Sequence, residues 1–200
     1  MKKLPLYKAV LRDDEDGMVA VSFVDLPAVE VDWLAFNKQE SPLQFSIESE
    51  DKHIVKGVLM RADHPIYRVG VSGYEYYIQF DKDTLREIAQ KYLKDCYQNN
   101  VDTMHNHQIE EGIYMQELFI KDVENGINPK GFEEVEDGSL FAQFKVENEE
   151  VWNEIKEGKF KGFSIEIFCD AVEVSDPDEE DFNECIELLK QINKKINRIK

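Results

Sequence analysis

Phe160-Lys161-Gly162-Phe163-Ser164-Ile165-Glu166-Ile167-Phe168 is the stretch on which the architecture turns. It is rich in aromatic and β-branched residues, which suits a pleated strand. Side chains alternate along a strand, so Phe163, Ile165 and Ile167 share one face and Gly162, Ser164 and Glu166 the other. A small hydroxyl on the less apolar face, beside a glycine that lets another chain approach closely, suits a nucleophile. The plainer alternative is a strand serine whose hydroxyl is satisfied locally.

Moving towards the N-terminus, a short helix is expected over Glu149 to Glu157, with Gly158 as its C-cap. Leu140 to Val146 alternates as a strand should. A loop rich in Asn, Gly and Pro covers Asn125 to Gly131. Val101 to His107 and Ile113 to Ile120 read as strands. Asp81-Lys82-Asp83-Thr84 offers helix caps, and Leu85, Ile88, Ala89, Tyr92 and Leu93 follow at helical spacing, to an end near Asn99-Asn100. Further strands are expected at Tyr74 to Phe80, at His53 to Arg61 (stopped by Asp63-His64-Pro65), at Leu43 to Ile47 and at Val19 to Val24.

Towards the C-terminus, the acidic run Asp176 to Asp181 marks a boundary. Beyond it Phe182, Cys185, Leu189, Ile192, Ile196 and Ile199 fall alternately three and four residues apart, a heptad seam. The expected organisation is therefore α+β: a mainly antiparallel β domain over residues 1–175 with inserted helices, then an amphipathic helix over 176–200. That helix either packs on its own domain or makes a homodimer.

Composition narrows the function. Forty-two acidic residues against 24 basic ones give a net charge of −18, which repels phosphate backbones and argues against nucleic acid as principal partner. Such a surface suits either solubility at high local concentration or a partner with basic segments. No window approaches the roughly 18 apolar residues of a membrane helix. Cys96, Cys169 and Cys185 are far apart and without CxxC spacing, so they read as reduced thiols of a cytoplasmic protein.

The histidines add chemistry. If Val101 to His107 is extended, Thr103, His105 and His107 project on one face, and either imidazole could deprotonate a serine hydroxyl near neutral pH. A metal site using His105, His107 and Glu117 is a second option, and an inert exposed His-Asn-His turn a third. His64, before a proline, reads as part of a turn, and His53 has no evident partner.

Ordered blocks carry a family resemblance. Gly57-Val58-Leu59-Met60 and Pro65-Ile66-Tyr67-Arg68 lead into the tyrosine-rich strand and the helix beginning Phe80-Asp81. The histidine segment follows, then Gln116-Glu117-Leu118-Phe119-Ile120-Lys121-Asp122. Val151-Trp152-Asn153-Glu154-Ile155-Lys156-Glu157-Gly158 then precedes Gly162-Phe163-Ser164-Ile165-Glu166, and Val21 to Val29 adds an N-terminal block. Over about residues 18–170 this order resembles the XkdF-like branch of phage prohead serine proteases.

The resemblance implies a β-barrel related to herpesvirus assemblin, flanked by helices. It implies a serine endopeptidase of capsid maturation, located in the host cytoplasm inside the prohead, with scaffold and capsid proteins as substrates and no cofactor. By the family's Gly-x-Ser-Ile block Ser164 is the nucleophile. His105 matches as base, with His107 in reserve. Glu117 is the expected third residue, with Glu166, Asp170 and His107 as rivals; many relatives carry glycine where Glu166 stands. The alternatives are a non-catalytic capsid-assembly or scaffold-associated protein on the same fold, and a metal-dependent β-barrel enzyme.

Overall fold

The computed structural model describes residues 4–25, 44–70 and 72–174. The strands are β1 (Leu6–Val10), β2 (Gly17–Val24), β3 (Ser46–Ser49), β4 (Ile54–Met60), β5 (Ile66–Val69), β6 (Glu75–Gln79), β7 (Val101–Thr103), β8 (Ile113–Ile120), β9 (Leu140–Val146), β10 (Gly162–Phe168) and β11 (Asp170–Glu173). Helix α1 (Lys82–Lys94) lies between β6 and β7, and α2 (Glu149–Lys156) between β9 and β10. The chain is α+β, as expected.

In β9, Leu140, Ala142, Phe144 and Val146 are buried in the main core, while on the other face Gln143 and Lys145 are half-buried and Phe141 packs in a smaller cluster with Val58, Phe132 and Val135. Asp81 caps α1 by accepting from the Thr84 N–H at 2.8 Å, and Leu85, Ile88 and Tyr92 turn inward at helical spacing. This helix stops at Lys94, short of Asn99, because Cys96 adopts φ 61°; a 3-10 turn over Tyr97–Asn99 completes the segment. Asn148 caps α2, whose Val151, Trp152 and Ile155 are buried. Gly158, at φ 76°, closes it by donating to the Ile155 carbonyl.

The strands form three sheets, in the orders β11-β1-β6-β5, β10-β2-β7 and β3-β4-β9-β8. Pairing is antiparallel except for β1 with β6 and β2 with β7. No closed barrel forms among the described residues, which corrects the barrel expectation. A ring needs backbone ladders all round, and here β10 meets β4 through side chains. Phe163 of β10 packs on Phe45, Phe23 and Phe144 with ring centroids 4.8–5.2 Å apart. Gly57 of β4 makes room for that junction, since a Cβ there would lie 2.9 Å from Phe45 Cβ and 3.0 Å from Phe163 Cε2. Burying one such phenyl ring contributes about 1.5–3 kcal/mol. The residue next to the proposed nucleophile is thus anchored in the main core.

The strand expected at Leu43 to Ile47 starts later, at Ser46, because Phe45 turns inward to the aromatic cluster. Strands β1, β5 and β11 were not expected. Each is short, and β11 is exposed throughout, so none displays the apolar alternation of a core strand. The helix of residues 176–200, with Cys185 and the dimer it would make, and Leu26 to Val29 of the N-terminal block lie outside the described residues. Among the described residues no helix is long and apolar enough to cross a membrane.

Candidate active site

Strand register assembles the site. Ser164 of β10 is paired with Ser22 of β2, and Ser22 with Asp102 of β7, so these three residues form one row across the sheet. In the adjoining row Phe163 pairs with Phe23, and both lie in the core at 0–2% exposure. By alternation the row Ser164-Ser22-Asp102 lies on the opposite face. It is nonetheless covered: Ser164 is 7% exposed, Ser22 2% and Asp102 5%.

The cover is the segment after β7. The expected strand Val101 to His107 ends at Thr103, so His105 and His107 do not share an extended face. Met104, His105 and His107 instead have φ of 55–56°. Left-handed backbone costs an L-residue about 1 kcal/mol or more, and such strain concentrates at functional sites. One long-range and one local bond hold it here: Met104 N–H donates to the Phe23 carbonyl at 2.9 Å and His107 N–H to Asp102 Oδ2 at 3.0 Å. Glu110 N–H donates to the Val101 carbonyl at 2.8 Å and closes the loop.

The turn sends the two histidines apart. His105 folds back over β2, where Nδ1 lies 3.0 Å from Ser22 Oγ. Together with Ser164 it lines a cavity of about 460 Å³, whose wall includes Leu59, Ile66, Ile78, Ile165 and Ile167. Ser22 does not line this cavity. No side-chain hydrogen bond holds the Ser164 hydroxyl among the described residues. His107 lies over a separate depression with Asn100, Asp102, Ile109 and Glu166, and its exposed ring is 3.6 Å from Glu166 Oε2.

None of the three carboxylates expected as third residue lines the cavity. Glu117 Oε2 accepts from Gln143 Nε2 at 2.6 Å, in a depression it shares with Lys56. Asp170 pairs with Arg12 Nε at 3.2 Å, and Glu166 faces His107. The strand position that recommended Glu117 does not bring it to the cavity that His105 lines, but to a depression on Lys56 and Gln143. The same separation divides the proposed metal donors His105, His107 and Glu117. Among the described residues, no group of three or more His, Cys, Asp or Glu is placed to hold a metal ion.

Residues not singled out by the sequence complete the site. Ser22 and Asp102 were legible as polar residues inside apolar strands, Val21-Ser22-Phe23 and Val101-Asp102-Thr103. His64 is more than a turn residue, for it lines the cavity with Arg61. Arg61 grips Glu136 with two donors, Nε to Oε2 at 2.6 Å and Nη2 to Oε1. His64 Nδ1 lies 3.7 Å from the same carboxylate. Partial burial pushes the Glu136 carboxyl up, but His64 and Arg61 outweigh it and bring it down from 4.5 to about 2.

A folded-state pKa below the unfolded one contributes stability above the unfolded value and loses it as pH falls. Glu136 should therefore help hold the cavity wall above pH 4.5 and release it progressively towards pH 2. In thermal melts between those limits, Glu136→Gln should fall less steeply than the wild type. Parallel curves would show that the pair adds nothing.

Residues 43–173 match the family described as "Putative phage serine protease XkdF". The match includes Ser164, His105, Asp102 and all of the cavity wall, and excludes Ser22. Searches of the curated proteins and of the solved structures return no significant match.

Proposed function

This chain belongs to the XkdF family of phage serine proteases, and from that premise we propose that it is the endopeptidase of capsid maturation, cutting scaffold or capsid protein inside the prohead. The observation that carries the reading is the convergence of Ser164 and His105 on one cavity, brought about by a core-anchored strand and a strained turn. In an endopeptidase the cavity would take the substrate side chain next to the scissile bond, and its aliphatic wall favours an apolar one.

The chemistry is acyl transfer. His105 takes the Ser164 proton as Oγ attacks the peptide carbonyl, then returns it to the leaving amine, and water resolves the acyl-enzyme. A positioned base of this kind contributes about 10²–10⁴-fold. Catalytic hydrogen bonds in ligand-free proteins are often not yet made, so an engaged Ser164–His105 bond belongs to the substrate complex. The route needs no metal or organic cofactor. The acidic surface, net charge −18, suits attraction to basic segments of the scaffold or capsid protein.

A second reading is a non-catalytic assembly protein on the same fold. It is favoured by the hydrogen bond of His105 to Ser22, and by the absence of Glu117, Glu166 and Asp170 from the cavity. Co-expression with the scaffold and capsid proteins encoded beside it, read by intact mass, separates the two. New fragments are expected with the active chain. Stoichiometric binding without fragments, in assembled proheads as well as free protein, would replace the protease reading with the assembly one.

A further inference from the structure

We propose that Ser22 is the positioning residue of the catalytic base: its hydroxyl fixes the tautomer of His105, with the buried Asp102 carboxylate behind it. The inference rests on the protease reading of Ser164 and His105. An imidazole serves as base through one nitrogen if the other carries its proton and is held by an acceptor. His105 Nδ1 is 3.0 Å from Ser22 Oγ, and of the two residues Ser22 is buried, at 2% exposure, while His105 is exposed. With Nδ1–H donating to Ser22 Oγ, the lone pair of Nε2 is left for the Ser164 proton.

The surroundings of Ser22 complete the arrangement. Its partner on one side is Ser164 and on the other Asp102. Asp102 Oδ2 holds the His107 N–H, whereas Oδ1 is buried without a hydrogen-bond partner. A buried unpartnered carboxylate oxygen is costly and calls for a reason. Asp102 stands in the strand row next to Ser22, on the side away from Ser164. The orienting role that a carboxylate fills by direct contact in a Ser-His-Asp triad is thus carried by a hydroxyl with a carboxylate one residue further along the row.

Ser22 is a poor nucleophile candidate despite its bond to His105, since it does not line the cavity and Ser164 does. The proposal is tested on the full chain, wild type and Ser22→Ala. Nitrogen-15 spectra of the His105 ring should show protonation at Nδ1 in the wild type and a mixture of tautomers in Ser22→Ala. Against a scaffold-derived peptide, kcat of the variant should fall about 10- to 100-fold with KM unchanged. That is less than the about 10⁴-fold lost when the charged orienting group of a Ser-His-Asp triad is neutralised. Ser22→Thr, which keeps the hydroxyl, should recover most of it. A wild-type His105 protonated at Nε2, or a tautomer balance that Ser22→Ala leaves unchanged, would overturn the proposal. The ring spectra do not depend on turnover, so absence of cleavage in every chain would count against the protease reading alone.

Discussion

A Ser164→Ala chain should yield no fragments of scaffold or capsid protein, with cleavage down by about 10³-fold or more and the fold intact. Removing the nucleophile of a serine protease removes the acyl-enzyme route altogether, and what remains is binding and oxyanion stabilisation. The fold should survive because the anchor of β10 is Phe163, on the opposite face, packed against Phe23, Phe45 and Phe144. The deleted hydroxyl makes no side-chain hydrogen bond among the described residues, so its loss should alter stability by less than about 1 kcal/mol. In a chain of this size that is a shift of a few degrees in the thermal midpoint. Intact mass of the co-expressed substrates reads the first quantity, and circular dichroism melts the second. Fragments produced at the wild-type rate would remove Ser164 from the chemistry.

His105→Ala should lower kcat by about 10²–10⁴-fold, while His107→Ala should change it by no more than about threefold. The contrast follows from where the turn places each ring. His105 lines the cavity of Ser164, whereas His107 lies over another depression beside Glu166. The His107 ring is 69% exposed and 3.6 Å from Glu166 Oε2, and exposed pairs of this kind are worth about 0–1 kcal/mol. Its backbone N–H, which Asp102 holds, is retained in the alanine variant. Steady-state cleavage of a scaffold peptide by the two variants decides the matter. The reverse ranking would make His107 the base and would require the turn to rearrange when substrate binds.

Several elements were legible because their signals are local. The alternation in Leu140 to Val146, the Asp81 cap of α1 and the glycine that ends α2 each depend on residues within a turn or a strand of one another. The division of Phe163 from Ser164 between two faces likewise follows from period two. The barrel was not legible, since closure depends on whether strand edges meet in hydrogen-bonding register. Here the bulky rings around Phe163 join β10 to β4 where a ladder would have been needed. Glu117 matched by its order along the chain, but its carboxylate bonds Gln143 in a depression shared with Lys56, outside the cavity that His105 lines. Ser22 was overlooked because it lies 83 residues from the histidine it contacts and has no motif of its own.

By itself, then, the sequence determined an acidic α+β chain, a strand with a serine facing away from its aromatic core, a pair of nearby histidines and a family whose chemistry needs both residue types. These properties follow from composition, short-range periodicity and the order of blocks along the chain. The tertiary structure decided which histidine shares a cavity with the serine and which residue that histidine contacts. That choice depends on a left-handed turn at 104–107 held by the carbonyl of Phe23 and the carboxylate of Asp102. It depends also on the register that sets Ser22 between Ser164 and Asp102. The Phe23 contact and the strand register are pairings between distant segments, and no local pattern encodes them.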